Sequence, residues 1–126
     1  MGWREHRYAP APGTPLCRVD SIPIGECREK RYGDGEEALS LLLYRCPLGV
    51  QAYVNKCPHF SLPLNSRPET FFLLAREEIM CAWHCAIFRL QDGKCTAGPA
   101  KGLGLERVTV STVDGQVILS AGDDCV

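Results

Sequence analysis

Apolar residues in this chain come in short bursts. Leu39 to Arg45 is a dense apolar run, and Val50, Ala52 and Val54 alternate with Gln51 and Tyr53 at a period of two. Val108, Val110 and Val113 interleave with Thr109, Ser111 and Thr112, and Gln116 to Ser120 follows across an Asp114-Gly115 step. A period of two is what a strand shows when successive side chains face opposite ways. Between the bursts stand dipeptides that favour hairpin turns: Asp34-Gly35, Asp92-Gly93 and Asp114-Gly115, with Pro47-Leu48-Gly49 as a further turn. Short strands divided by turns predict an all-β antiparallel sandwich or barrel. One segment is contested. Phe72, Ala75, Ile79 and Met80 fall at i, i+3, i+7 and i+8, a helical stripe within Glu69 to Met80. The rival is a hairpin, with Phe71 to Leu74 going out and Glu78 to Ala82 returning. Phe71, Phe72 and Ile79 suit strands and favour the hairpin. Residues 1–14 read as an irregular arm, and the tail after Ser120 is short and acidic.

Composition narrows the picture. At 126 residues the chain has room for one domain, 1–126, and no repeat or linker divides it. With 45% hydrophobic and 23% charged residues it reads as soluble and globular. A formal charge of -1 argues against a broad nucleic-acid footprint. The apolar runs fall far short of the ~20 residues of a membrane span. Residues 1–15 lack the apolar stretch of a secretory signal, and His6 stands where a myristoylation motif wants Ser or Thr. The expectation is a cytoplasmic protein without a nucleic-acid or membrane partner. Against that background eight cysteines stand out, at positions 17, 27, 46, 57, 81, 85, 95 and 125. A reducing compartment keeps thiols free, so metal binding becomes the better reading wherever cysteine sits beside histidine.

Two boxes meet that condition: Cys57-Pro58-His59 and Cys81-Ala82-Trp83-His84. Each offers one thiolate and one imidazole from a short segment. Together they make a four-donor set that serves either one zinc ion or a binuclear iron–sulfur cluster. Zinc fingers usually pair Cys with Cys at one end and His with His at the other. Mixed boxes suit a site where both sulfurs meet on one iron and both nitrogens on the other. Cys17, Cys27, Cys46, Cys95 and Cys125 read as thiols packing like small hydrophobes. His6 reads as a solvated arm residue.

The pattern C-x-H, gap, C-x-x-H resembles the Rieske family. The first box continues as Phe60-Ser61-Leu62-Pro63-Leu64, similar to the family's first cluster loop. The second is followed by Phe88, Asp92-Gly93 and Gly98-Pro99, similar to its second loop, hairpin and covering proline loop. The resemblance runs from about Pro15 to Ser120. It implies an antiparallel base domain with a small cluster-binding subdomain, formed by loops at about 56–64 and 80–99. It also implies one [2Fe-2S] cluster per chain, with Cys57 and Cys81 on one iron and His59 and His84 on the other. Two departures stand out. The 21 residues between His59 and Cys81 exceed the family's usual gap, which a longer hairpin near Arg67 to Glu78 would absorb. Cys85 stands where the family commonly has glycine.

The resemblance also carries a function. Rieske proteins of respiratory complexes have a disulfide between the two loops and a hydroxyl beside the cluster. The comparable positions here are Leu62, Trp83 and Ala86, which implies the low end of the Rieske potential window and hence the ferredoxin-like type. The picture is a non-catalytic electron carrier of a bacterial ring-hydroxylating dioxygenase system. It would take one electron from a flavin-dependent or other reductase and pass it to a terminal oxygenase through transient contacts. Phe60, Leu62, Pro63 and Trp83 would form an apolar rim around the exposed histidine edges. The alternative is a small Rieske subunit or accessory domain of a larger, nitrite-reductase-like oxidoreductase. A structural zinc module is a third class. An oxygenase centre of its own would need a second iron site, for which only His6 remains.

Overall fold

In a computed structural model of the chain, the described residues are 7–33, 38–47, 49–56, 64, 71–74, 78–81, 86–98 and 104–120. Among them the regular structure is β-sheet plus one 3-10 turn at Val19–Ser21. Three antiparallel sheets account for the strands. The first contains β1 (Pro15–Arg18), β10 (Val110–Val113) and β11 (Gln116–Leu119) in the order β1-β11-β10. The second contains β2 (Cys27–Tyr32), β3 (Leu39–Cys46), β4 (Gly49–Val54) and β9 (Arg107–Val108) in the order β2-β3-β4-β9. The third runs in chain order through β5 (Phe72–Leu74), β6 (Glu78–Met80), β7 (Ile87–Arg89) and β8 (Cys95–Ala97).

The dense apolar run explains the layering. Residues Leu39 to Tyr44 of β3 are buried without interruption, because both faces of this central strand are covered. Leu39, Leu41 and Leu43 point into one core, which they share with Leu16, Ile22, Ala52, Val54, Val117 and Leu119. Leu42 and Tyr44 point into the other, with Tyr53, Leu64, Ile79, Cys81, Phe88 and Leu90. The β2-β3-β4-β9 sheet is thus the middle layer, with the other two sheets against its opposite faces. Tyr53, an alternate position in β4, is fully buried for the same reason.

The hairpin reading of the contested segment holds. Phe72 pairs with Met80, Leu73 with Ile79 and Leu74 with Glu78. The Asp114-Gly115 turn joins β10 to β11, with positive φ at both residues, as a two-residue hairpin of right-handed twist requires. The Val108 to Val113 segment is divided at Thr109, where the chain passes from the middle sheet to the first. Residues 7–14 carry neither helix nor strand, and Tyr8 and Ala9 pack against the first-sheet core. Asp34-Gly35 and Leu48 lie outside the described residues. No helix among the described residues is long and apolar enough to cross a membrane.

Candidate metal centre

Each box lies between two well-anchored stems. The first loop leaves β4 at Asn55 and Lys56 and returns at Leu64. Leu64 is fully buried, and its amide donates to Asn55 Oδ1 at 2.9 Å. The second leaves β6 at Cys81 and returns at Ala86. There the Cys81 amide donates to the Ala86 carbonyl at 2.7 Å, extending the β6–β7 ladder by one step around residues 82–85. Leu64, Cys81 and Ala86 belong to one apolar core and are each 0% exposed, so the bases of the two loops meet in the same dry interior.

The first stem is held by a polar chain inside the fold. The Glu29 side chain, 3% exposed, accepts from the Ser40 hydroxyl at 2.6 Å and pairs with Arg31 at 3.4 Å. Ser40 Oγ accepts from Asn55 Nδ2 at 3.1 Å, and the Asn55 amide donates to the Ser40 carbonyl at 2.9 Å. Both Ser40 and Asn55 are buried. Buried polar groups of this kind are retained only where they are hydrogen-bonded.

The third sheet is tied to the middle layer at the β7–β8 turn. Tyr53 donates its phenolic proton to the Leu90 carbonyl at 2.7 Å. Burial is the main reason its pKa is pushed up to about 12. Gly93 sits at φ +79, and a Cβ there would meet Tyr53 Cε1 at 2.8 Å, so the turn needs glycine at this close approach. The Gly93 carbonyl accepts from the Leu105 amide at 2.8 Å, which holds the segment leading into β9 against the turn. On the outer side Arg89 Nε donates to Asp92 Oδ1 at 3.0 Å, and this hydrogen bond is the first cause of the Asp92 carboxyl falling to about 2.

Of the four donors singled out from the sequence, Cys81 alone is among the described residues. Cys57, His59 and His84 lie outside them, as do Cys85 and the rim residues Phe60, Leu62, Pro63 and Trp83. Cys81 stands at the mouth of its loop with its side chain in apolar surroundings. A thiolate there is costly unless a cation neutralises it, so Cys81 could ligate only with a metal close at hand. Two soft and two imidazole donors on loops rooted in one dry core fit a binuclear iron–sulfur group. Among the described residues, which include one of the four donors, no group of three or more His, Cys, Asp or Glu side chains gathers. The stem residues Glu29, Ser40 and Asn55 were not singled out from the sequence. Asn55, a lone amide closing the alternating run two residues before Cys57, was the available signal.

Comparison with known proteins identifies the class. The Rieske [2Fe-2S] domain profile matches residues 13–113, a range that includes both boxes and all three sheets up to β10. The chain belongs to this family, and the family implies a [2Fe-2S] cluster. Among curated relatives, apoptosis-inducing factor 3 of Homo sapiens and of Mus musculus is 31% identical over 78 residues. That segment is 62% of this chain and 11% of those proteins, so the chain spans a small part of their length. Among solved structures, the ferredoxin of carbazole 1,9a-dioxygenase from Nocardioides aromaticivorans IC177 superposes with a TM-score of 0.68 at 19% identity, over 89% of this chain and 100% of that one. A complex of reduced oxygenase and oxidized ferredoxin in carbazole 1,9a-dioxygenase gives a TM-score of 0.66 at 20% identity, over 87% of this chain and 94% of the matched one. The fold is therefore the Rieske fold, and its structural relatives include ferredoxins seen in complex with a terminal oxygenase.

Proposed function

We propose that this chain is a one-electron carrier of the Rieske ferredoxin type, with Cys57, His59, Cys81 and His84 holding the cluster. The observation that carries the reading is the likeness of fold to a dioxygenase ferredoxin, matched over 100% of that chain at a TM-score of 0.68, together with the Rieske [2Fe-2S] profile over residues 13–113. When bound, the [2Fe-2S] group supplies reversible one-electron redox chemistry. The protein's part is to hold two loops together, keep water from their bases and leave one tip for partners. Leu64, Ile79, Phe88 and Leu90 supply the dry side. The Ala86 side chain is a methyl at the second stem and offers no hydroxyl to a sulfur, which keeps the potential toward the low end of the roughly -150 to +300 mV Rieske window. The partners are a flavin-dependent or other reductase and a terminal oxygenase, met in small transient contacts of the kind electron-transfer proteins use. Cys17, Cys27, Cys46 and Cys95 are free thiols, which suits a reducing cytoplasm.

A second reading rests on the curated relatives, where the matching segment is 11% of a much longer protein. On that reading the domain serves as an accessory unit of a larger oxidoreductase. Turnover separates the two. The purified chain, at a few per cent of the concentration of a ring-hydroxylating terminal oxygenase and with an NADH-dependent flavin reductase, is expected to carry many electrons per molecule. Stoichiometric or absent transfer, with the cluster intact, would favour the accessory reading.

A further inference from the structure

We propose that Asn55 is a positioning residue for the cluster loop, oriented through Ser40 by the buried carboxylate of Glu29. This deepens the carrier reading and rests on it.

The direction of each hydrogen bond follows from the donor inventory. An ionised carboxylate only accepts. Glu29, paired with Arg31, therefore turns the Ser40 hydroxyl proton toward itself at 2.6 Å. The Ser40 oxygen is then left as an acceptor, and it faces Asn55 Nδ2 at 3.1 Å. With its NH2 so engaged, Asn55 turns its carbonyl oxygen outward, where the Leu64 amide donates to it at 2.9 Å. Reversing any one link would set two donors or two acceptors against each other. A carboxamide is therefore the fitting group at position 55: it donates at one end and accepts at the other.

The consequence is mechanical. Asn55 and Leu64 are nine positions apart, and the loop between them carries Cys57 and His59. The carboxamide clamps that loop at its neck, while the Leu64 side chain is sunk in the core that also holds Cys81. On the carrier reading, the two ends of the segment that carries Cys57 and His59 are thereby fixed before any iron arrives. Preorganised ligands hold a metal longer and in a narrower range of geometries than loose ones.

The test compares Asn55→Ala and Ser40→Ala with Val117→Ala in the full chain. Val117 is fully buried in the core on the opposite face of the middle sheet. Three quantities are read: the rate of iron release to a chelator at a fixed interval below each apparent Tm, the paramagnetic-resonance line shape of the reduced protein, and hydrogen exchange at the Leu64 amide. Asn55→Ala is expected to release iron about tenfold faster, to broaden the line shape and to lose Leu64 protection. Ser40→Ala should do the same to a lesser degree, and it reads the same chain of bonds should Asn55→Ala not fold. Val117→Ala should lower the Tm and change none of the three. Equal iron lability and line shape in the Asn55, Ser40 and Val117 variants would overturn this proposal alone. A wild-type chain that binds no iron would overturn the carrier reading and this proposal together.

Discussion

Replacing Tyr53 by phenylalanine removes one hydroxyl from the joint between the middle and third sheets. The ring stays in its core, but the Leu90 carbonyl loses the donor that reached it at 2.7 Å. A buried acceptor left without its donor costs roughly 1–3 kcal/mol, and we expect ~1–2 here because the phenylalanine ring needs no partner of its own. At ~2.1 cal/mol/K per residue, the unfolding entropy of this 126-residue chain is about 0.26 kcal/mol/K. The apparent Tm should therefore fall by about 4–8 °C, read by circular dichroism on the iron-loaded protein at pH 8. The pH dependence gives an independent check of the cause. Burial raises the Tyr53 pKa from 10.0 to about 12, so the folded state favours the neutral phenol. That contribution is fully present below pH 10 and is lost as pH rises from 10 through 12. Wild type should lose stability over that interval while Tyr53→Phe does not through this position, and the gap between the two should narrow. A variant within 1 °C of wild type at pH 8, or a gap that widens above pH 10, would refute the reasoning.

Three further outcomes follow from the same geometry. Gly93→Ala adds a methyl 2.8 Å from the Tyr53 ring at φ +79, and should cost more than Tyr53→Phe in a thermal melt, about 2–4 kcal/mol from backbone and overpacking together. Cys27, whose thiol burial pushes up to about 12, should react with iodoacetamide at pH 8 at least about tenfold more slowly in the native chain than in urea, by peptide mass spectrometry; equal rates would contradict its burial. Cys81→Ser should yield protein with almost no iron, counted by metal analysis, and a fully loaded variant would remove Cys81 from the ligand set.

What the sequence made legible depended on range. The β5–β6 hairpin could be read because its evidence is local: strand-favouring Phe71, Phe72 and Ile79 outweigh a helical spacing that nothing else supports. The Asp114-Gly115 turn is local as well, since two adjacent residues tolerate the required positive φ. The donor boxes are local too, each a Cys and a His within four residues, and of their four side chains Cys81 alone is among the described residues. Tyr53 is the opposite case. An alternating strand leaves its face open to question, and only a third layer, touching it through Leu90 at a separation of 37 residues, makes that face interior. The Glu29–Ser40–Asn55–Leu64 chain draws on two strands and the end of a third before it reaches a loop. No period or dipeptide announces such a chain; it exists only once β2, β3 and β4 are in register.

The central claim is that two mixed Cys/His loops close on a pair of irons that takes up a single electron. The most direct measurement is iron, zinc and acid-labile sulfide per chain on the purified protein, together with its paramagnetic-resonance spectrum before and after dithionite. The account predicts two irons and two sulfides per chain, silence when oxidised, and one unpaired electron per chain when reduced. A colourless protein with one zinc per chain and no sulfide would contradict it.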